Sequence, residues 1–188
     1  MLSAFFITDQ DPSLIINGVY DPLLVSMSLL IAIFAAFFTI RLIELAKETQ
    51  FPSYQRLANV TAATVFSAGI WSMHFIGMLA FSLCTNIDYD PTITLLSFIP
   101  AFIACQYAVS MLVNSKGNLK VLSICSVLLG AGIGTMHYSG MAAMDLAPLL
   151  RYDPLIFALS IIVAIALSFI ALYSRFNLER FLPSLSPL

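Results

Sequence analysis

PLIFALSIIVAIALSFIALYS, residues 154–174, is a stretch of the chain without a single charged side chain. At 1.5 Å per helical residue it is about 30 Å long, which is the thickness of the hydrocarbon core of a bilayer. Every backbone N–H and C=O group in such a segment needs a partner within the protein, and a helix supplies these partners internally. A barrel strand would instead show alternating polarity over about ten residues, a pattern absent here. The stretch therefore predicts a transmembrane helix.

Four further apolar segments have a similar length, at about 22–42, 57–82, 92–113 and 119–143. The whole chain of 188 residues is 60% hydrophobic and 10% charged, whereas a soluble domain carries about 25% charged residues. We therefore predict an all-α integral membrane protein with five transmembrane helices and the lipid bilayer as its solvent. Only eight Lys and Arg residues and a net charge of −2 argue against nucleic acid as a partner.

Basic residues are distributed unevenly between the two sides of these segments. Arg151 alone falls on one side, and the other seven fall on the opposite side: Arg41, Lys47, Arg56, Lys116, Lys120, Arg175 and Arg180. Because positively charged loops stay in the cytoplasm, this distribution predicts an N-terminus outside and a C-terminus in the cytoplasm.

The triplet Tyr-Asp-Pro recurs at 20–22, 89–91 and 152–154, each time at the start of an odd-numbered segment. Asp is a good N-cap and Pro suits the first helical turn, so the triplet predicts helix starts. The repeat divides the single domain, residues 1–188, into units of about 20–88 and 89–151 and a partial unit of 152–180. Two and a half helix pairs copied in one orientation predict a parallel-repeat bundle.

A second repeat lies in the even-numbered segments, which read GIWSMHFIGMLAF at 69–81 and GTMHYSGMAAM at 134–144. Each contains one of the two histidines of the chain in the frame Met-His-x-x-Gly-Met. On a helix, the histidine, the methionine four residues later and the intervening glycine share one broad face. Glycines, Gly77 and Gly140 among them, predict close contact with other helices. We expect His74 about eight residues, roughly 12 Å, from the outer end of its helix, and expect the two motif faces to approach one another.

Uncharged imidazole and thioether groups form a soft ligand set. Zinc usually takes thiolate, imidazole or carboxylate ligands, and magnesium and calcium take oxygen, whereas copper, above all Cu(I), accepts both His nitrogen and Met sulfur. Two histidines, His74 and His137, could alternatively hold a haem iron axially. Either metal would allow reversible binding of a diatomic gas. Polar groups inside a bilayer are costly and usually functional, although the same residues could simply pack helices together.

The segments MHFIGM and MHYSGM, with the surrounding glycines and the Tyr-Asp-Pro triplets, resemble the bacterial MHYT domain from about Tyr20 onward. Phe75 takes the place of the tyrosine in the first copy, and Ser139 that of the threonine in the second. The resemblance implies a multi-pass sensor of the bacterial inner membrane, often joined to domains that make or degrade cyclic di-GMP. Family members typically carry a third motif helix, which this chain lacks. The resemblance also implies copper-binding roles for six residues: Met73, His74, Met78, Met136, His137 and Met141.

The function that we expect is a membrane-embedded sensor that binds copper and detects oxygen, carbon monoxide, nitric oxide or redox state. Its signal would leave through the cytoplasmic end of the fifth segment, toward an output domain or partner outside this chain, and self-association into a homo-oligomer stays open. The chain carries no P-loop, G-x-S-x-G or other enzyme signature, so we predict no catalytic residues. A copper carrier, a haem-binding electron-transfer protein and a purely structural role for the histidines are the alternatives.

Overall fold

A computed structural model describes residues 18–82, 88–115, 118–145 and 152–181 of the chain. Helices dominate these residues, with four two-residue strands at the helix ends. In chain order the elements are β1 Val19–Tyr20, α1 Pro22–Glu48, α2 Pro52–Leu79, β2 Phe81–Ser82, β3 Asp88–Tyr89, α3 Pro91–Leu96, α4 Phe98–Val113, α5 Leu119–Met141, β4 Met144–Asp145 and α6 Pro154–Phe181.

Five spans in the described residues are long and apolar enough to cross a membrane, which confirms that part of the prediction. They are α1, α2, the pair α3 and α4 counted together, α5 and α6. The predicted boundaries differ at several ends. Helix α1 continues to Glu48, past the predicted end at 42, and α2 already begins at Pro52. Charged residues limit the apolar segment but do not stop a helix, because Arg, Lys and Glu are good helix formers.

The third span, predicted as one helix, is interrupted at Ser97 between α3 and α4. Pro100 explains the interruption. Proline has no N–H, so it cannot bond to the carbonyl four residues earlier, which belongs to Leu96, and its ring crowds that carbonyl. The helix therefore breaks at the residue after Leu96.

Aspartates of the Tyr-Asp-Pro triplets cap their helices, as the sequence predicted. Asp21 accepts hydrogen bonds from the backbone N–H groups of Leu23 and Leu24, and Asp90 and Asp153 accept the equivalent pairs. The all-α prediction did not include the short strands. β1 pairs with β2 and β3 with β4, both antiparallel. In each unit, the strand before the first span is therefore paired with the strand after the motif helix.

Small side chains bring neighbouring helices together. A Cβ at Gly69 of α2 would lie 2.1 Å from the Cβ of Ala35 on α1, and one at Gly132 of α5 would lie 2.3 Å from the Cβ of Ala104 on α4. The two units thus use the same contact, a glycine of the motif helix against an alanine of the preceding span. Among the described helices, α2 packs along α1 and α4, and α5 along α4 and α6. The motif helices α2 and α5 are therefore flanked on both sides.

Two of the basic residues behind the predicted sidedness, Lys116 and Arg151, lie outside the described residues. The large apolar side chains of the first and last helices face outward, as those of Phe34 on α1 and Ile162 on α6 do, with 60% and 62% exposure. Apolar surface of this extent is suited to lipid rather than to water.

Candidate metal-binding site

Helices α2 and α5 bring the two histidines of the chain into direct contact. The Nδ1 atoms of His74 and His137 lie 3.3 Å apart, and the ring centroids are separated by 4.8 Å at an interplanar angle of 70°. His74 is only 9% exposed. A neutral imidazole has one donor and one acceptor nitrogen, so the two Nδ1 atoms can share one proton in a hydrogen bond or can both present lone pairs to a cation.

The other ring nitrogen of His74 has no hydrogen-bond partner among the described residues. Nε2 is buried, and whichever tautomer His74 adopts, this atom is left as a donor without an acceptor or an acceptor without a donor. Such a buried group costs about 1–3 kcal/mol. The surrounding packing therefore holds the histidine pair in place although the unpaired Nε2 atom lowers the stability of the fold, as is common for a group that binds a ligand.

Gly140 makes room for the ring of His74. A Cβ at this position would lie 2.7 Å from Nε2 and 3.1 Å from Cδ2 of that histidine, and real Cβ atoms do not approach other heavy atoms so closely. The motif glycine of the second copy therefore admits the histidine of the first. Gly77, the equivalent glycine of the first copy, differs: a Cβ there would meet no described atom within 4 Å. The prediction that Gly77 supports a close helix contact is thus wrong for the described residues.

We expect Gly140→Ala to destabilise the protein and to displace His74, whereas Gly77→Ala should change little. The added methyl group at residue 140 overlaps the imidazole, and overpacking of this kind costs about 1–3 kcal/mol. Thermal unfolding of the two variants in lipid nanodiscs measures the difference. Equal unfolding temperatures for the two variants would contradict the role assigned to Gly140.

The four motif methionines occupy different environments. Met136 is 1% exposed and lies in the apolar core, and Met78 is 9% exposed. Met73 and Met141 are half-buried. Met78 and Met141 follow their histidines by one helical turn and so share their faces, whereas Met73 and Met136 precede them by one residue and point about 100° away. The structure thus brings the two imidazoles together directly and places Met78 and Met141 on their faces.

No carboxylate or thiolate joins the histidine pair within the part of the chain that the structure describes, where no group of three His, Cys, Asp or Glu side chains could hold a metal. Cys105 and Cys125 are buried elsewhere in the core. Any cation at this site would therefore meet imidazole nitrogen first, and the thioether groups of Met78 and Met141 lie one helical turn away along the same helix faces. That donor set favours a soft ion.

The histidines lie closer to the helix ends than the sequence predicted. Because α2 ends at Leu79, His74 is five residues from its end, about 7.5 Å at 1.5 Å per residue, rather than eight. The helix stops there because the chain turns into β2 at Ala80. The carbonyl of Ala80 accepts a hydrogen bond from the backbone N–H of Asp21. Ala143 and Asp90 form the same bond in the second unit.

Each histidine is connected to the next span by an aromatic neighbour and a hydrogen bond. These connections were not predicted from the sequence. Phe75 lies 5.0 Å from the His74 ring and 4.8 Å from the Trp71 ring. The indole N–H of Trp71 then donates to the carbonyl of Thr94 and the hydroxyl of Ser97, both at 3.1 Å. The hydrogen bonds end at the break between α3 and α4.

In the second unit the connection is shorter. Tyr138 lies 5.0 Å from the His137 ring, and its hydroxyl is 2.6 Å from the hydroxyl of Ser160 on α6. Ser97 and Ser160 occupy the same place in their units, seven residues after the capping aspartates Asp90 and Asp153. The recurring frame Asp-Pro followed by a serine is a signal in the sequence that could have identified both contacts.

The chain matches a family model described as a bacterial signalling protein N-terminal repeat (MHYT), at residues 68–125 and 130–186. It is 38% identical over 164 residues to the bifunctional diguanylate cyclase/cyclic di-GMP phosphodiesterase MucR of Pseudomonas aeruginosa, a match that covers 86% of this chain and 23% of that protein. It is 35% identical over 156 residues to the cyclic di-GMP phosphodiesterase NbdA of the same species, which covers 83% of this chain and 20% of that protein.

A third relative is the signalling protein YkoW of Bacillus subtilis, 33% identical over 167 residues, with 87% of this chain and 20% of that protein covered. The chain thus spans about a fifth to a quarter of the length of these relatives. No solved structure gives a significant match.

Proposed function

Because the chain belongs to the MHYT family of bacterial signalling proteins, we propose that it is the membrane-embedded sensor part of a signalling protein and that its paired histidines bind copper. Through the bound metal it detects a diatomic gas or a redox state. When bound, copper in its reduced form supplies an open position for a small ligand such as carbon monoxide, nitric oxide or oxygen.

The observation that carries this proposal is the contact between the two imidazoles, one from each repeat. Two nitrogen ligands of a tetrahedral metal at about 2.0–2.1 Å from the ion lie about 3.3–3.4 Å apart, which is the separation of the Nδ1 atoms of His74 and His137. The pair can therefore share one ion with little movement. To bind the ion through both Nδ1 atoms, the ring that carries its proton on Nδ1 must carry it on Nε2 instead, so both rings stay neutral. His74 Nε2 is then a buried donor without a hydrogen-bond partner among the described residues.

Methionine sulfur supports copper over harder ions. Met78 and Met141 lie one turn from the histidines on the same helix faces, and no described carboxylate is grouped with the pair. Zinc prefers thiolate, imidazole and carboxylate ligands, whereas Cu(I) is stable with two nitrogens and one or two thioethers. We assign Met78 and Met141 as the additional ligands and give Met73 and Met136 a supporting role in packing.

Haem fits the arrangement less well than copper. Axial histidines stand on opposite faces of the macrocycle, whereas the rings of His74 and His137 are in direct contact, with centroids 4.8 Å apart, and leave no space for a porphyrin between them. A copper carrier would need ligands along the whole bilayer, but the motif residues cluster within about 9 Å of one end of their helices. A sensor needs only one site.

We also propose that the two units stand side by side as parallel repeats, with the histidine end of the helices outside and the C-terminal end of α6 in the cytoplasm of the bacterium. The excess of Lys and Arg on the opposite side supports this orientation. Two relatives are named as enzymes of cyclic di-GMP, so we place a cytoplasmic output of that kind after α6, outside the matched region.

Copper content tests the proposal. The purified chain, reconstituted in nanodiscs and loaded with Cu(I), should retain copper against a weak soft chelator and should show an infrared C–O stretch when carbon monoxide is added. Met78→Leu should weaken Cu(I) binding several-fold, because leucine fills the same space without a sulfur ligand.

Met27→Leu is the matched control, because Met27 lies on α1 with 45% of its surface exposed and outside the motif. Its copper binding should equal that of the unaltered chain. A chain that keeps no copper after loading would overturn the proposal, and an equal loss in both leucine variants would remove Met78 as a ligand.

A further inference from the structure

We propose that α6 is the moving part of the sensor: a lever tied at one end to the histidine pair through Tyr138 and Ser160, supported near its middle on Gly130, and held at the other end by an ion pair with α1. This inference rests on the proposed metal site and adds the way in which its state reaches the C-terminal end of the chain.

The outer tie is a hydrogen bond next to the site. The hydroxyl groups of Tyr138 and Ser160 lie 2.6 Å apart, and the ring of Tyr138 packs on Phe157 with centroids 4.3 Å apart and on Tyr152 at 5.1 Å. Tyr138 follows His137 directly in the chain, and the two rings are in contact. Any rotation of α5 that moves His137 therefore also moves the outer end of α6.

The support is a backbone contact. A Cβ at Gly130 of α5 would lie 2.4 Å from Cγ1 of Ile165 and 2.8 Å from both its N and its Cα atom, so the missing side chain of the glycine lets the two helix backbones come close here. Gly134, one turn further along, is less crowded, because a Cβ at this position would lie 3.5 Å from Cγ1 of Ile161. Of the two glycines of α5 that contact α6, Gly130 makes the closer approach, and we take it as the point of rotation.

Helix α6 has fewer neighbours than the motif helices. Among the described helices it packs extensively along α5 alone, and none of the residues 154–175 is fully buried, although Phe169 and Leu172 lie partly buried against the apolar core. Because α6 has one extensive helix contact, a small tilt disturbs fewer packed side chains than a tilt of an enclosed helix would. In this respect α6 differs from α2 and α5, which are enclosed by neighbours.

The inner tie is electrostatic. The Arg175 guanidinium near the C-terminal end of α6 donates a hydrogen bond to Oε1 of Glu44 on α1, and Arg41 donates to Oε2 of the same carboxylate at 3.2 Å. These side chains are 24–42% exposed, so water and salt weaken the pair and it can break and re-form. This contact reaches from the last helix back to the first.

The contact with Gly130 lies closer to the histidine end of α6 than to its charged end, so a tilt of α6 moves the charged end further. Ser160 is five residues from Ile165, about 7.5 Å, and Arg175 is ten residues beyond it, about 15 Å. A movement at the histidine end is thus roughly doubled at the charged end. Helix shifts in switching proteins are about 1–2 Å, so we expect roughly 2–4 Å at Arg175.

Spin labels at Leu45→Cys on α1 and Tyr173→Cys on α6 measure this movement by pulsed electron resonance, in the full chain in nanodiscs with and without Cu(I), which is diamagnetic. Both positions are exposed, at 54% and 47%. Cys84 is replaced by serine, whereas Cys105 and Cys125, 1% and 0% exposed, stay in place because they are inaccessible to the label. Tyr173 is eight residues beyond Ile165, about 12 Å, so we expect Cu(I) to change the distance by roughly 1.5–3 Å.

Tyr138→Phe and Ser160→Ala should abolish this change while copper stays bound, because each removes one hydroxyl of the outer tie. Ser97→Ala is the matched control: it removes the equivalent serine of the preceding unit, where Trp71 keeps its bond to the Thr94 carbonyl, and should leave the change intact.

Copper bound at full stoichiometry with an unchanged distance would overturn the lever and leave the metal site standing. A chain without copper binding would overturn both. A change that persists in Tyr138→Phe and Ser160→Ala would show that the hydrogen bond is not the tie.

Discussion

Replacement of both histidines, His74→Ala with His137→Ala, is expected to abolish copper binding and leave the fold intact. The two imidazoles are the nitrogen ligands of the proposed site, and the loss of a direct ligand should exceed the roughly 10–100-fold loss in affinity that removal of a supporting residue causes. Either single variant should lose most of the affinity, because the remaining histidine cannot chelate. The double variant should then be little worse than the singles, as is usual for residues that act on one ligand.

The order of the three histidine variants in stability should differ from their order in copper affinity. The double variant removes both partners of the contact between the Nδ1 atoms, together with the buried Nε2 of His74, so no polar atom of the pair is left without a partner. His137→Ala alone leaves both nitrogens of His74 unsatisfied and should be the least stable of the three by about 1–3 kcal/mol.

Copper retention and thermal unfolding in nanodiscs, measured on the same samples, separate the two effects. A double variant that keeps copper at full stoichiometry would remove the histidines from the site. A double variant much less stable than His137→Ala would show that the pair has a structural role instead.

Gly130→Ala is expected to push α6 away from α5 and to destabilise the protein, whereas Gly134→Ala should not. The new methyl group at residue 130 would lie 2.8 Å from the backbone of Ile165, and a backbone cannot move aside as the end of a side chain can. The helices must separate, at a cost of about 1–3 kcal/mol. At Gly134 the nearest atom is 3.5 Å away, so the methyl group fits and adds an ordinary contact.

Thermal unfolding and the distance between labels on α1 and α6, measured without copper, test this pair of variants. Both replace glycine by alanine on the same helix, one turn apart, so intrinsic helix propensity favours alanine equally in the two. Equal stability of the two variants, with an unchanged distance between labels in Gly130→Ala, would contradict the backbone contact.

The number of spans and the starts of the odd-numbered ones were predictable because they depend on residues close together in the sequence. Uncharged segments of about 20 residues have few alternatives to a membrane helix, and an aspartate before a proline is a strong N-cap wherever it occurs. Asp21, Asp90 and Asp153 accordingly cap their helices as expected. The break after Leu96 could also have been predicted from the sequence, because Pro100 is four residues later.

The candidate site was predicted in outline. Equal spacing of His74 and His137 within their repeats indicated that the two faces would approach one another, and the rings do lie in contact. The roles of the glycines were not predictable, because Gly77 and Gly140 occupy identical frames and only the identity of the neighbouring helix distinguishes them. The contact between Tyr138 and Ser160 joins residues 22 positions apart on different helices, and the recurring serine seven residues after Asp90 and Asp153 was the one signal in the sequence that indicated it.

The sequence by itself determined that this protein is helical, that it has five segments able to span a bilayer, that Asp-Pro pairs begin the odd-numbered ones and that a Met-His frame occurs twice. These properties depend on a residue and its near neighbours along one chain segment. Only the tertiary structure decided that the imidazoles meet through their Nδ1 atoms, that Gly140 alone of the two motif glycines admits a ring, and that α6 touches α5 through its backbone. Each of these depends on distances of a few ångströms between helices, which are set by the packing of many side chains together.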